Sequence, residues 1–150
     1  MYGWQNIDEN KTSETASDTI TGSSMSNFII SKKQYKDFVL EMDIKADDGL
    51  RDLGISIRNN ANWGYISYLT GKLCTISAVD GSAGGIYDNT RGWLYPVDLN
   101  NKVKNSYKPR VYNHVKIECI GSEIKTWINN IATAYVVDTI DNAGYIGFQM

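Results

Sequence analysis

Hydrophobicity in this chain repeats every second residue and nowhere holds the period of a helix. Phe38, Leu40, Met42 and Ile44 alternate with Val39, Glu41, Asp43 and Lys45. Leu53, Ile55 and Ile57 alternate with Gly54, Ser56 and Arg58. Val115, Ile117 and Cys119 alternate with His114, Lys116, Glu118 and Ile120, and Ile124, Thr126 and Ile128 with Lys125 and Trp127. A period of two marks a strand with one dry and one wet face. By that rule Arg58 is expected to leave the apolar face of its strand.

Turn residues separate the runs: Ala46-Asp47-Asp48-Gly49, the asparagines 59, 60 and 62, Gly121-Ser122, Asn129-Asn130 and Asp141-Asn142-Ala143-Gly144. Thr70-Gly71-Lys72 reads as a hairpin link between strands at Trp63–Leu69 and Leu73–Val79. Ile131 to Val137 and Tyr145 to Met150 supply the last strands. Short strands joined by Gly and Asn turns predict an all-β sandwich of two antiparallel sheets.

The 150 residues suit one domain. A net charge of −2 supplies no basic field for nucleic acid. The apolar runs fall far short of the roughly 18–20 residues of a membrane helix. Two cysteines, Cys74 and Cys119, make neither a disulfide scaffold nor a four-cysteine zinc site. They read as small buried apolar residues, with a bond between them left open by the sequence. A single histidine, His114, excludes any two-histidine metal motif within the chain. Asp47-Asp48-Gly49 and Asp52 offer oxygens to calcium on an edge loop, with a solvated turn as the simpler reading. Phosphate-loop, dinucleotide and Ser-His-Asp patterns are missing, and no cofactor is assigned.

Residues 1–26 form a polar segment, rich in Ser and Thr from Lys11 onward, with an edge strand or a loop around Thr19–Thr21. Trp4 and Ile7 are its apolar anchors near the start. It carries no basic stretch followed by an apolar one, so no signal peptide is expected in these residues. Residues 27–150 are expected to form the sandwich.

One stretch breaks the rhythm. Asp80 to Arg110 carries Gly-Ser-Ala-Gly-Gly, then Ile86-Tyr87-Asp88, then Arg91-Gly92-Trp93-Leu94-Tyr95-Pro96. It is too long for a plain hairpin loop and too aromatic for a disordered one; long ordered loops in compact domains usually serve function. The chain holds 10 tyrosines and 4 tryptophans, which suit a β core and equally suit a surface that stacks on sugars. Trp93 and Tyr95 either stack on a sugar ring or pack beneath the loop. Arg91 reads as a solvated loop charge paired with Asp88 or Asp98. Glu41 and Asp43 share a strand face, a spacing open to a glycosidase pair but common on wet faces. His114, Trp127 and Tyr145 read as structural.

Several of these runs resemble one family. Residues 28–41 (Phe-Ile-Ile-Ser-Lys-Lys-Gln-Tyr-Lys-Asp-Phe-Val-Leu-Glu) are similar to its opening strands. Gly84-Gly85-Ile86-Tyr87-Asp88 with Arg91-Gly92-Trp93-Leu94-Tyr95-Pro96 resembles its most distinctive loop. Residues 113–119 with 124–129 resemble its late hairpin, and residues 144–149 the strand that follows. The family is that of the 3-keto-disaccharide hydrolases, or 3-keto-glucoside lyases and hydratases, once called domain of unknown function 1080.

The resemblance implies a concanavalin A-like jelly roll, a carbohydrate partner on its concave side next to the Gly84–Pro96 loop, and an extracytoplasmic home in bacteria. It implies a 3-keto-sugar substrate, whose ketone acidifies the neighbouring C–H so that a base starts elimination of the glycosidic oxygen. Asp88 would then act as base or hydroxyl acceptor, against a plain role as a turn residue. Arg58 would bind a sugar oxygen or stabilise enolate-like charge. Tyr87, Arg91, Trp93 and Tyr95 would bind substrate.

The sequence departs from that pattern in two places. Members usually carry a Gln-x-Glu-Ile-Asp strand before the loop, whereas no carboxylate lies between Arg58 and Asp80 here. Members usually continue past the last strand with a His-Gly pair and one or two closing strands, whereas this sequence ends at Met150. A non-catalytic carbohydrate-binding module on the same sandwich accounts for the missing carboxylates; a sandwich with no ligand is the third reading.

Overall fold

The structure, a computed structural model, describes residues 3–7, 14–16, 19–21, 28–46, 53–62, 68–76, 83–95 and 101–149. The elements in chain order are β1 (Trp4–Asn6), β2 (Glu14–Ala16), β3 (Thr19–Thr21), β4 (Phe28–Ser31), β5 (Phe38–Ile44), β6 (Gly54–Asn62) and β7 (Tyr68–Thr75). Then follow β8 (Ile86–Asp88), β9 (Gly92–Tyr95), α1 (Asn101–Lys104), β10 (Asn113–Ile120), β11 (Glu123–Ile128), β12 (Ile131–Val137) and β13 (Tyr145–Gln149).

They form a seven-stranded sheet in the order β1-β4-β13-β6-β7-β8-β9, a four-stranded sheet β12-β11-β10-β5, and a small β2-β3 ribbon. Every strand pair is antiparallel. This is the expected all-β sandwich with a jelly-roll character. Thr19–Thr21, open between an edge strand and a loop in the sequence, is a short strand paired, among the described residues, with Glu14–Ala16. Trp4–Asn6 joins the large sheet through β4, and Trp4 packs on Phe148 at 4.9 Å between ring centres.

The two-residue alternation survives in the strands where it was plainest. Along β10 and β11 every second residue is buried. Ile55, Ile57, Cys74, Ile76 and Ile86 of the larger sheet meet Val115, Ile117, Cys119, Ile124, Ile128 and Ala134 of the smaller one. Asn129 and Asn130 take positive φ (50° and 65°), as a tight two-residue hairpin turn demands. Cys74 and Cys119 are buried free thiols, each pushed by burial up to about 12 and so chemically inert.

Two expectations fail at one place. The asparagines after Ile57 make no turn, and Thr70-Gly71-Lys72 makes no hairpin. β6 runs on to Asn62, and β7 runs straight through Gly71. A bulge absorbs the irregularity: Ile57 pairs with Lys72 and Asn60 with Thr70, so Arg58 and Asn59 together oppose Gly71. Arg58 sits at φ 49°. The Asn59 side-chain amide donates to the carbonyls of Ile57 (2.9 Å) and Lys72 (2.7 Å), repairing the interrupted ladder. Residues 63–67 and 77–79 of the two expected strands lie outside the described residues.

The bulge also corrects the expected direction of Arg58. The inserted residue breaks the alternation, and the side chain turns inward with 0% exposure. Its Nε (3.1 Å) and one terminal nitrogen (2.8 Å) donate to the Lys36 carbonyl, just ahead of β5 in the other sheet. Gly144 presses on the bulge from β13's side: a Cβ there would collide with the Arg58 carbonyl carbon and come within 2.6 Å of the Asn59 nitrogen and oxygen.

Gly144→Ala should therefore cost about 1–3 kcal/mol or more through overpacking against backbone that has nowhere to move. Gly144 is not in the left-handed region, so overpacking alone would carry this loss. Urea midpoints measure it. A loss within about 0.5 kcal/mol, the scale of an ordinary surface substitution, would show that the bulge is not clamped.

Candidate functional site

Cross-strand partners share a face of a sheet. Across the larger sheet one row of partners reads Ile30, Gly147, Ser56, Leu73, Tyr87, Trp93, crossing β4, β13, β6, β7, β8 and β9. The flanking residues Ile55, Ile57, Cys74, Ile86 and Ile146 point into the core. The row therefore lies on the face turned away from the smaller sheet. Gly147 and Ser56 form a low, buried floor between Ile30 on one side and Leu73 on the other. Leu73 lies over Gly54, where a Cβ would come within 2.5 Å of its Cδ1.

The aromatic end of the row is the feature best suited to a ligand. Tyr87 and Trp93 meet edge to face, 5.3 Å between centres at 76°, an arrangement that aromatic quadrupoles favour. Trp93 is 43% and Tyr95 40% exposed. Leu94 between them packs against the core. Trp93 shares the outer face with its partner Tyr87. Leu94 is the extra residue of a register shift that sets the exposed Tyr95 opposite core-facing Ile86.

The excursion that carries them is anchored. Gly84, at φ 87°, lies so close to Thr133 that any side chain there would collide with it. The Thr126 hydroxyl donates to the Gly84 carbonyl (2.8 Å) and lies 2.7 Å from the Thr133 hydroxyl. With one proton per hydroxyl, Thr133 must then be the donor to Thr126. Gly84 N–H donates to Thr75 O (2.6 Å). The start of the loop is thus buried between the two sheets, and only its strands reach the outer face.

Asp88 does not join Tyr87 on that face. It is the cross-strand partner of Lys72, which is the partner of Ile57, so both charges point inward with the core. Asp88 Oδ1 accepts from the Thr90 N–H (2.8 Å), the Thr90 hydroxyl (2.6 Å) and the Arg91 N–H (3.0 Å). Oδ2 accepts from Arg91 Nε (3.1 Å) and NH2 (2.7 Å). Burial opposes ionisation of Asp88, yet the bonds from Arg91 and Thr90 outweigh it and hold the carboxyl well below the usual carboxylate range.

Arg91 pairs with Asp88 and, unexpectedly, with Asp138 after β12, its NH1 and NH2 lying 3.2 and 2.6 Å from the two oxygens. Asp98 lies outside the described residues. Lys72, fully buried, reaches the Ile140 carbonyl (2.6 Å), Asp138 (3.2 Å) and Asp141 (3.8 Å). Arg58 lies at the same end of the sandwich, with Asp37 3.6 Å away. Its remaining nitrogen has no hydrogen-bond partner. Neither Arg58 nor Asp88 reaches the Tyr87–Trp93 face.

Lys72 and Asp138 escaped the sequence reading because their meaning lies in long-range register. Ser56 was legible as the wet side of Ile55 and Ile57. The other candidates resolve simply. Glu41 faces Lys116 at 3.6 Å and Asp43 faces His114 at 3.0 Å, on the outer side of the smaller sheet. Tyr145 packs against the Ile7–Ile30 cluster. Asp47, Asp48, Gly49 and Asp52 lie outside the described residues. Among the described residues no three metal-ligating side chains converge, and no helix is long and apolar enough to cross a membrane.

The architecture is that of an all-β sandwich of two antiparallel sheets. A family model, the 3-keto-alpha-glucoside-1,2-lyase-like domain, matches residues 1–150. The chain belongs to that family. Among solved structures it resembles the carbohydrate binding module CBM66 from Bacillus subtilis at 20% identity, over 99% of this chain and 87% of that one, with a TM-score of 0.71. A Parabacteroides distasonis protein named "putative glycosyl hydrolase" matches at 15% identity over 98% and 81%, also with a TM-score of 0.71. Identities this low establish the shared fold. A search of curated proteins finds no match.

A carboxyl with a lowered folded-state proton affinity stabilises the fold above its unfolded value and stops doing so as pH falls through the folded one. Burial raises Asp138, but Arg91, the Ile140 N–H and Lys72 bring it down to about 2. The urea midpoint should thus hold from neutral pH to about pH 4, near the unfolded carboxylate value, and fall below it toward about 2. Asp138→Asn should lower the midpoint at pH 7 and flatten that acid limb. An unchanged limb would show that the bridge adds no pH-dependent stability.

Proposed function

We propose that this domain binds a saccharide on the outward face of the seven-stranded sheet, against Tyr87, Trp93 and Tyr95, and does not cleave it. The observation that carries the reading is the Tyr87–Trp93 pair, Trp93 exposed and Tyr87 half-buried, at the end of a row that dips to Gly147 and Ser56 beyond Leu73. Aromatic faces meet the apolar faces of pyranose rings, while the Tyr87 hydroxyl and the Trp93 indole N–H supply neutral polar groups.

Elimination from a 3-keto-sugar needs a base that gains a proton near the working pH. Asp88 is already saturated, turned to the other face of its strand and held below the usual range. Using it would break the Arg91 bridge and reverse the side of the strand it stands on. Arg58 is spent on the Lys36 carbonyl inside the sandwich. The chain's family suggests the class of ligand, an α-glucoside or its 3-keto form, and the fold it shares with a carbohydrate binding module is compatible with binding alone.

Titration with sucrose and 3-ketosucrose, α-glucosides without and with the 3-keto group, alongside an array of neutral oligosaccharides, tests this. Trp93→Ala should weaken binding about tenfold or more, the scale of losing one aromatic contact. Trp127→Ala, on the far face of the smaller sheet, should leave it unchanged, and no product should be released from 3-ketosucrose. Retention of no glycan, or binding that survives Trp93→Ala, overturns the binding site; product release overturns the non-catalytic reading.

A further inference from the structure

We propose that Arg91 and Asp138 are positioning residues for the saccharide face, setting the tilt of the aromatic hairpin from the opposite sheet without touching the ligand. This rests on the saccharide reading for its consequence and on the hairpin's geometry for its cause.

The β8–β9 hairpin has little hold of its own. β8 pairs with β7 through Lys72, Leu73 and Cys74, with backbone bonds beyond them from Asn89 to Gly71 and from Thr75 to Gly85. Among the described residues β9 is the edge of the sheet, hydrogen-bonds only to β8 across a register shift, and touches β12 of the smaller sheet. A short ribbon at a sheet edge is marginal without further packing. Among the described residues the Thr75 hydroxyl of β7 holds the Gly85 carbonyl (3.3 Å), and two further side-chain anchors lead to the four-stranded sheet. One is the Thr126 bond to Gly84 at the loop's start. The other is Arg91 in the turn.

Arg91 grips two carboxylates at once. Nε and NH2 fork onto Asp88 (3.1 and 2.7 Å), and NH1 and NH2 fork onto Asp138 (3.2 and 2.6 Å). Toward Asp138 the planar guanidinium is bidentate, two nitrogens on two oxygens, which fixes angle as well as distance; toward Asp88 both nitrogens converge on Oδ2. Asp138 is itself immobile: its N–H donates to Ser122 O (2.8 Å), the Ile140 N–H to its Oδ1 (3.0 Å), and Lys72 sits 3.2 Å from Oδ2. The turn is thereby tied to the end of β12. Tyr87 immediately precedes Asp88, and Trp93 follows Arg91 by two residues, so the clasp sits between the two rings along the chain. It also sits on the inner side, with Lys72 and Asp88 facing the core. An effect of buried Asp138 on ligand passes through Arg91 and the rings.

Arg91→Lys keeps the charge and loses the fork; Asp138→Asn keeps the shape and loses the charge; Asp138→Glu keeps both oxygens and displaces them. Each is made in the full chain, with and without Trp93→Ala. NMR reads the nuclear Overhauser contacts between the Tyr87 and Trp93 rings and amide exchange over residues 86–95, with the β10–β11 amides as the check on global folding. 3-Ketosucrose titration reads binding. The clasp variants should lose ring contacts, speed exchange in 86–95 about tenfold or more, and weaken binding severalfold. In the Trp93→Ala background they should weaken it no further, which a general loss of stability would not reproduce.

Ring contacts and exchange unchanged in the folded variants overturn the positioning role, whatever the sugar does. Binding that ignores Trp93→Ala overturns the saccharide site, while the ring contacts still decide whether the clasp orients the hairpin.

Discussion

The organisation of this molecule turns on charges placed inside a β-sandwich. Lys72 and Arg58 are wholly enclosed, and Asp88 and Asp138 nearly so. Ions removed from water cost several kcal/mol each, by order of magnitude, unless partners replace the lost hydration. Here the partners are found across layers. Lys72 of the larger sheet answers to the loop that leaves the smaller one, Arg58 to the carbonyl before β5, and Arg91 to Asp138. A well-packed apolar end would be as stable or more so. What the ions add is register, because sliding one sheet along the other would strand several charges together.

That placement decides what chemistry the aromatic loop can support. A carboxylate beside a tyrosine invites a catalytic reading when the two are seen as loop neighbours. Once the segment is a strand, adjacent residues stand on opposite faces, and Tyr87 and Asp88 are separated by the sheet itself. The ring goes to solvent and the acid goes to the clasp. Family membership therefore fixes the fold and the carbohydrate connection without carrying the elimination chemistry to these particular side chains. The same carboxylate that would have been the base is what braces the hairpin.

Most of the architecture was legible in the residues because alternation is a local property. β5, β10 and β11 each announce themselves, and so does the Asn129–Asn130 turn. The alternation misled where one extra residue entered. Arg58 and Asn59 look like the end of a strand followed by a turn, and Gly71 like the tip of a hairpin. In the structure they face each other across a bulge, with Asn59's amide replacing lost ladder bonds. Nothing local distinguishes a glycine at a turn from one opposite a bulge. The partnership of Arg91 with Asp138, 47 residues apart, has no local signature at all. The division of Tyr87 from Asp88 was readable in principle, and was hidden by treating a long glycine-rich excursion as loop throughout.

The two exposed sheet faces sharpen the assignment, since both carry aromatic rings. On the smaller sheet Lys116 stands over Trp127, 5.3 Å from the ring centre, and Lys125 over Tyr135 at 5.5 Å. Glu123 bonds both Lys125 (2.7 Å) and the Tyr135 hydroxyl (2.7 Å). Those ring faces are already covered by ammonium groups that the ladder of acids holds in place, and a sugar would have to displace them. Among the described residues no cation covers Tyr87 or Trp93. They touch each other edge to face, and Trp93 leaves ring surface exposed. Exposure alone does not separate the two faces; Tyr135, at 50%, is more exposed than Trp93. The difference is that one face has satisfied its own rings and the other has not.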